Sequence, residues 1–575
     1  MRDEGARERP GMNNGDEKLD PGAGSGALDP LGINAAAVDV WRSLLGAPQA
    51  VLETQSQFAN AWLTLATRTL SRVASPQTQP PAVIDPAPGD NRWKHAAWNE
   101  NPLFDSLKQG YLLATQAVLD GIDRAPDVDE ETRTRVKFFA KQFCDAMSPT
   151  NFALLNPAVI EETVKTGGKN LQRGVENALA DMRENDGRPS LVDKSAFTVG
   201  VNVATSPGAV VFRNDLIELI QYTPSTPDVA AMPLLIVPPW INKYYILDLQ
   251  PKNSLIKYAV DNGIQTFVIS WRNPSAALGH YGFDEYLRLG PLAAGEVARA
   301  ITGSSSVNQI GYCIGGTLTS MELAYLAKTD PSLVNAVTFF AAQTDFSESG
   351  ELRNFLPPAP KSETPDKGAN IFPASSMADT FSMLRANDLI WNVAVNRYFM
   401  GKDAPAFDLL YWNSDATSMP GAMHAFYLEN MYGKNALVRG EISALGERLD
   451  LHEIRNDVYS VAPIEDHIAP WRSVYKMTQI FAGQTRFRLG HSGHIAGVIN
   501  PPASGKGQYW SNDSNPAKPD EWFAGADAHK GSWWPDWMAW LSQRSGERVP
   551  APTTLGNEKY PVLVPAPGTY VLEMA

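Results

Sequence analysis

The stretch QIGYCIGGTL, residues 309–318, constrains this chain more than any other. An apolar run ends at Ile310, and a helical pattern opens near Thr317. Between them lies Gly311-Tyr312-Cys313-Ile314-Gly315, a nucleophile framed by glycines. A strand that turns at once into a helix crowds the residues beside the turn, and glycine removes the clash. Cys313 then stands above the strand at the positive end of the helix, where a thiolate is stabilised. The amide of Ile314 is the expected first donor to an oxyanion formed at Cys313. Cys144, the other of two cysteines, sits in FFAKQFCDAM without such a frame and reads as core.

A length of 575 residues exceeds one ordinary core and predicts two or three folding units. Residues 1–33 are polar and read as a disordered tail. GAGSGA, residues 22–27, matches a dinucleotide fingerprint in letters only, since no strand precedes it and no helix follows. Residues 34–185 carry helical periodicity, broken by the Pro-rich stretch 75–90. Residues 186–575 alternate short β-rich runs with helical ones, which predicts an α/β unit with a parallel sheet covered by helices. An aromatic, Pro-rich insertion of about residues 347–445 is too long for a loop and reads as a cap or lid.

The net charge of -14 and the lack of a basic stripe argue against nucleic-acid binding. Two cysteines and no CxxC pair predict neither a disulfide framework nor a metal site, and no cofactor is expected. The N-terminus lacks the apolar segment of a secretory signal, and no run of apolar residues is long enough to span a membrane. A cytoplasmic location is expected.

The thiol needs a base and an acid on loops after late strands, in the order nucleophile, acid, base. TRFRLGHSGHIAG supplies a β-like run ending in a Gly-rich loop with His491 and His494; His494 is favoured as base. VYSVAPIEDH supplies Asp466, which precedes His494 by 28 residues, room for one helix and one strand. YKMTQIF is the expected helix. Asp466 would orient the imidazole and stabilise its charged form. His467 reads as a supporting or pocket-shaping residue, and Ala496 as a small pocket-shaping one. The second oxyanion donor is expected in PLLIVPPWINKYY, at the amide of Ile241 or Asn242.

GYCIGGTL, PPWINKYYILDLQPKNSLI, WNSDATSMPG, EDHIAPW and SGHIAGVINPP together resemble the polyhydroxyalkanoate synthases, from about Trp93 to Trp537. The resemblance implies an α/β-hydrolase fold with an inserted cap and a mostly helical N-terminal domain. It implies the triad Cys313, Asp466 and His494, matching the independent reading. It is closest to the single-subunit type that prefers short monomers such as 3-hydroxybutyryl groups. The implied reaction polymerises (R)-3-hydroxyacyl-CoA through a cysteine thioester, with coenzyme A as leaving group. A homodimer at the surface of polymer granules is implied as well. Whether His494, Asp466 or both activate the chain hydroxyl stays open at this level. So does the role of the cap, which could cover the site against water or serve fold support and dimer contact. A thiol-dependent ester or thioester hydrolase and an inactive granule-coating relative are the alternatives.

Overall fold

A computed structural model describes residue 29 and residues 31–75, 80–356 and 370–575. The expected tail, with GAGSGA, lies almost wholly outside the described residues, as does the Pro-rich segment 357–369 of the insertion.

The first folded part is helical: α1 (Ile33–Gly46), α2 (Pro48–Ala74), α3 (Pro102–Asp123), α4 (Glu130–Ala146), α5 (Pro157–Thr166) and α6 (Lys169–Glu184). Local chemistry sets several starts. Asn101 accepts from the amides of Leu103 and Phe104 with Pro102 as first helical residue, and Asn156 caps α5 ahead of Pro157 in the same way. Its apolar core is small, built on Ala36, Val40, Ile122, Ala125 and Val136. Buried charge adds to it: Asp105 pairs with Arg72 at 2.5 Å and Lys108 at 3.3 Å.

Eleven strands among the described residues form one sheet. They are β1 (Gly208–Arg213), β2 (Ile217–Tyr222), β3 (Leu234–Val237), β4 (Thr266–Trp271), β5 (Val307–Tyr312), β6 (Val334–Phe340), β7 (Asp457–Pro463), β8 (Thr485–Gly490), β9 (Gln508–Ser511), β10 (Asp527–Lys530) and β11 (Val564–Pro565). Their order across the sheet is β10-β9-β8-β7-β6-β5-β3-β4-β2-β1-β11. The central pairs from β8 to β4 are parallel. The flanking pairs are antiparallel. β3, β4 and β5 are buried along their whole length, as strands covered on both faces are, and β3 accordingly reads as a continuous apolar run. Two large apolar cores cover the two faces.

Helix α7 (Ile314–Thr329) follows β5 directly. The insertion between β6 and β7 carries α8 (Ala374–Leu384), α9 (Asp408–Asn413) and α10 (Gly421–Phe426), with π-helical turns at Asn387–Trp391, Val395–Phe399 and Tyr427–Gly433. The helical N-terminal part packs on this insertion. Asp181 of α6 accepts from Arg397 Nε at 2.5 Å and from Tyr398 Oη at 3.0 Å. A Cβ at Gly174 would sit 1.7 Å from the Tyr398 carbonyl, so only glycine permits that approach. No helix among the described residues is long and apolar enough to cross a membrane.

Three local expectations shift. β5 runs to Tyr312 and α7 opens at Ile314, three residues before Thr317. The amides of Gly316 and Thr317 bond to the Cys313 carbonyl at 2.9 and 3.2 Å, closing the first turn at once. The helical segment between Asp466 and His494 begins at Trp471 and breaks after Tyr475, so YKMTQIF spans two short helices. Pro470 lacks an amide proton and sets that earlier start.

Candidate active site

Cys313 sits at the tip of the turn from β5 into α7 with φ 53° and ψ -126°. A side-chain-bearing residue pays strain there, and the surroundings must hold it. Its amide bonds to the Phe340 carbonyl of β6 at 2.9 Å. The flanking glycines are needed for contact. A Cβ at Gly311 would lie 2.6 Å from Gly316 Cα, and one at Gly315 would lie 2.4 Å from the Val237 carbonyl. One at Gly316 would lie 2.3 Å from Ala342 Cβ. Ile314 is the first residue of α7, so its amide has no acceptor within the helix.

The β7 and β8 loops bring Asp466 and His494 together. His494 Nδ1 donates to Asp466 Oδ2 at 2.6 Å, and both residues are buried. Asp466 Oδ1 accepts from the amides of Ile468 and Ala469, each at 2.9 Å, which fixes the carboxylate. Cys313 lines the same cavity as His494. Burial alone would hold the imidazole neutral, but the Asp466 carboxylate bonded to it prevails, and its pKa stands well above the usual value. His491, the other histidine of this loop, is exposed.

Cys313 and His494 open onto a cavity of about 360 Å³ whose wall includes Ile241, Asn242, His467 and Ala496. Ala496 borders it from an exposed position. The 241–243 loop is tied to the insertion: Thr417 N–H donates to the Ile241 carbonyl at 2.9 Å, and Trp412 Nε1 to the Lys243 carbonyl at 2.6 Å.

His467 does not join the hydrogen-bonded trio; its Nδ1 is buried without a partner among the described residues. Burial, aided by Arg385 and His494, pushes its pKa down to about 4 against the pull of Asp466. His424 of α10, stacked on Phe372 at 3.8 Å, is pushed down to about 4 by burial. Both groups bind protons more readily in the unfolded chain. Their contribution is therefore complete above the unfolded value of about 6.5 and is lost as pH falls toward 4, at up to about 1.4 kcal/mol per pH unit for each group. The urea midpoint is expected to fall between pH 6.5 and 4, less steeply in His424→Gln; parallel profiles for the two proteins would contradict this.

Sequence reasoning missed three contributors. Tyr312 stacks on His494 with centroids 5.8 Å apart and donates to its carbonyl at 3.4 Å. Its place inside the glycine frame was the available signal. Tyr427 and Tyr432 come from the insertion, lie with centroids 5.3 Å apart, and are pushed up above all by burial. No local pattern marks them, because an insertion folds over the site only in three dimensions.

Residues 89–259 match the family model of the poly-beta-hydroxybutyrate polymerase (PhaC) N-terminus, and residues 233–501 match that of the alpha/beta hydrolase fold. The chain is 43% identical to a poly(3-hydroxyalkanoate) polymerase of Methylorubrum extorquens, over 96% of this chain and 93% of that protein. It is 43% identical to a poly(3-hydroxyalkanoate) polymerase subunit PhaC of Cupriavidus necator, over 84% of this chain and 83% of that protein. Among solved structures, a meta-cleavage product hydrolase from Pseudomonas fluorescens aligns over 50% of this chain and 90% of its own, with 13% identity and a TM-score of 0.30. The α/β-hydrolase fold is thus carried by the strand order and the family model. With relatives this similar over nearly their full length, the chain belongs to the poly(3-hydroxyalkanoate) polymerases, a family of acyltransferases.

Proposed function

We propose that this polymerase joins (R)-3-hydroxyacyl units, 3-hydroxybutyryl groups foremost, from their CoA thioesters through a thioester on Cys313. The observation that carries this reading is the buried His494, bonded to Asp466 on one side and sharing a cavity with Cys313 on the other. In the first step His494 holds the thiol proton while sulfur attacks the acyl carbonyl. The carbonyl–sulfur bond to CoA breaks, and His494 returns the proton to the leaving thiolate. One thioester replaces another at little cost. In the second step a 3-hydroxyl attacks the acyl-cysteine carbonyl and an ester forms. The Cys313 thiolate departs, and His494 takes the hydroxyl proton. Asp466 is committed to two amides and one imidazole, which favours His494 alone as the base. The Ile314 amide, with that of Ile241 or Asn242, would hold the oxyanion. Tyr427, Tyr432 and the rest of the insertion would keep water from the acyl-enzyme. No cofactor enters these steps. The insoluble product would hold the enzyme at granule surfaces in the cytoplasm.

Purified protein given (R)-3-hydroxybutyryl-CoA is expected to release thiol and form a chloroform-soluble polyester in step. Free 3-hydroxybutyrate in amounts equal to the released CoA would overturn the reading. Iodoacetamide should label Cys313 far faster than Cys144, which is buried and whose thiol burial pushes up. Equal labelling rates at neutral pH would count against an activated Cys313.

A further inference from the structure

Two cavities adjoin at the 241–243 loop. The first, of about 360 Å³, holds Cys313 and His494. The second, of about 550 Å³, extends from Asn185–Lys194 past α8 to Met574. Ile241, Asn242, Phe381, Leu389 and Asn413 wall both. One layer of side chains therefore separates them, and Phe381 and Leu389 in that layer are only half-buried.

We propose that the second cavity is the path by which the growing polyester leaves Cys313. This rests on the reading of Cys313 as the carrier of the chain. A chain held at sulfur and lengthened one unit at a time needs an open-ended route, and the first cavity is too small to store a polymer. The charges in the second cavity balance. Arg188 pairs with Asp379 at 2.8 Å, and Lys194 and Asp415 complete two side-chain charges of each sign in the wall. The wall thus offers no excess of positive charge to the phosphates of CoA. The remaining wall is largely apolar, with Leu191, Met377 and Met383 among it. Methionine is unbranched and polarizable and adapts to a sliding apolar chain. An uncharged polyester of methyl groups and ester carbonyls suits these walls better than a polyanion does.

Ala374 and Ala378 lie one turn apart on α8 and wall the second cavity but not the first. Ala378→Trp and Ala374→Trp would narrow the path without entering the Cys313 cavity. With full-length enzyme in excess over (R)-3-hydroxybutyryl-CoA, CoA release reports acylation of Cys313. With substrate in excess, it reports elongation. Acylation is expected at the wild-type rate, while elongation falls by roughly tenfold or more and the polymer shortens. Unchanged elongation and chain length in both variants would overturn the proposal. So would loss of acylation in both while cooperative melting persists, because the cavity would then admit substrate. A wild-type enzyme that fails to acylate would instead remove Cys313 as carrier, so the two failures are distinguishable.

Discussion

Cys313→Ala is expected to abolish both CoA release and polymer formation while leaving the fold intact. In the proposed mechanism the sulfur is the nucleophile, and neither His494 nor the Ile314 amide can replace it. Removing one member of such a unit costs nearly as much as removing all of them, so the loss should be on the order of 10⁴-fold or more. Stability should change little. Cys313 is half-buried, its backbone contacts to Phe340, Gly316 and Thr317 do not involve the side chain, and alanine bears the same positive φ. A change within about 1 kcal/mol is expected from thermal or urea unfolding. Polymer from the alanine variant at a tenth of the wild-type rate would remove Cys313 from the mechanism. Cys313→Ser tests the choice of sulfur. It keeps the elbow and the place beside His494, but its hydroxyl is far less acidic and the acyl group would rest as an ester. Slow acylation followed by slower release is expected.

Asp466→Asn should be nearly as damaging, through a proton rather than a missing atom. Oδ1 of Asp466 faces two N–H donors, those of Ile468 and Ala469, and Oδ2 faces His494 Nδ1. An asparagine must put its carbonyl toward the two amides, since its NH₂ would oppose them. The NH₂ then faces Nδ1 and demands an acceptor there. Neutral His494 would be driven to the tautomer with its proton on Nε2, where it cannot take one from the thiol. The negative charge that favours the imidazolium disappears as well. By analogy with the carboxylate-to-amide change in the serine triad, kcat should fall by roughly 10³ to 10⁴. The CoA-release assay checks the rate, and the histidine proton signals in NMR check the tautomer. Wild-type turnover, or an Nδ1–H tautomer in the variant, would refute the assignment.

Much of the site was legible because its parts sit on short, rule-bound segments. Gly311 and Gly315 announced the elbow, since a Cβ at either would lie only 2.6 or 2.4 Å from neighbouring backbone. Asp466 and His494 could be picked because chain order and strand ends limit where an acid and a base can stand. The helix between them starts ahead of YKMTQIF, because Pro470 sets its first turn. Tyr427 and Tyr432 were invisible. They lie more than 100 residues beyond Cys313, and nothing in their local pattern records where the insertion docks. The two readings of the 241–242 amide stay equal in sequence because both residues lie on one turn.

By itself the sequence determined the parts of the candidate site: a thiol on a strained turn, a carboxylate and an imidazole in order, and a parallel sheet to carry them. Local rules suffice there, because glycine sterics and strand periodicity act over a few residues. Only the tertiary structure decided the surroundings. It laid the insertion over Cys313 and fastened it to the 241–243 loop through Thr417 and Trp412. It set the N-terminal helices against the insertion through Asp181, and it left a second cavity one side-chain layer away from the thiol. Contacts of that kind join residues hundreds of positions apart, and their energy depends on shape and burial that no short pattern encodes.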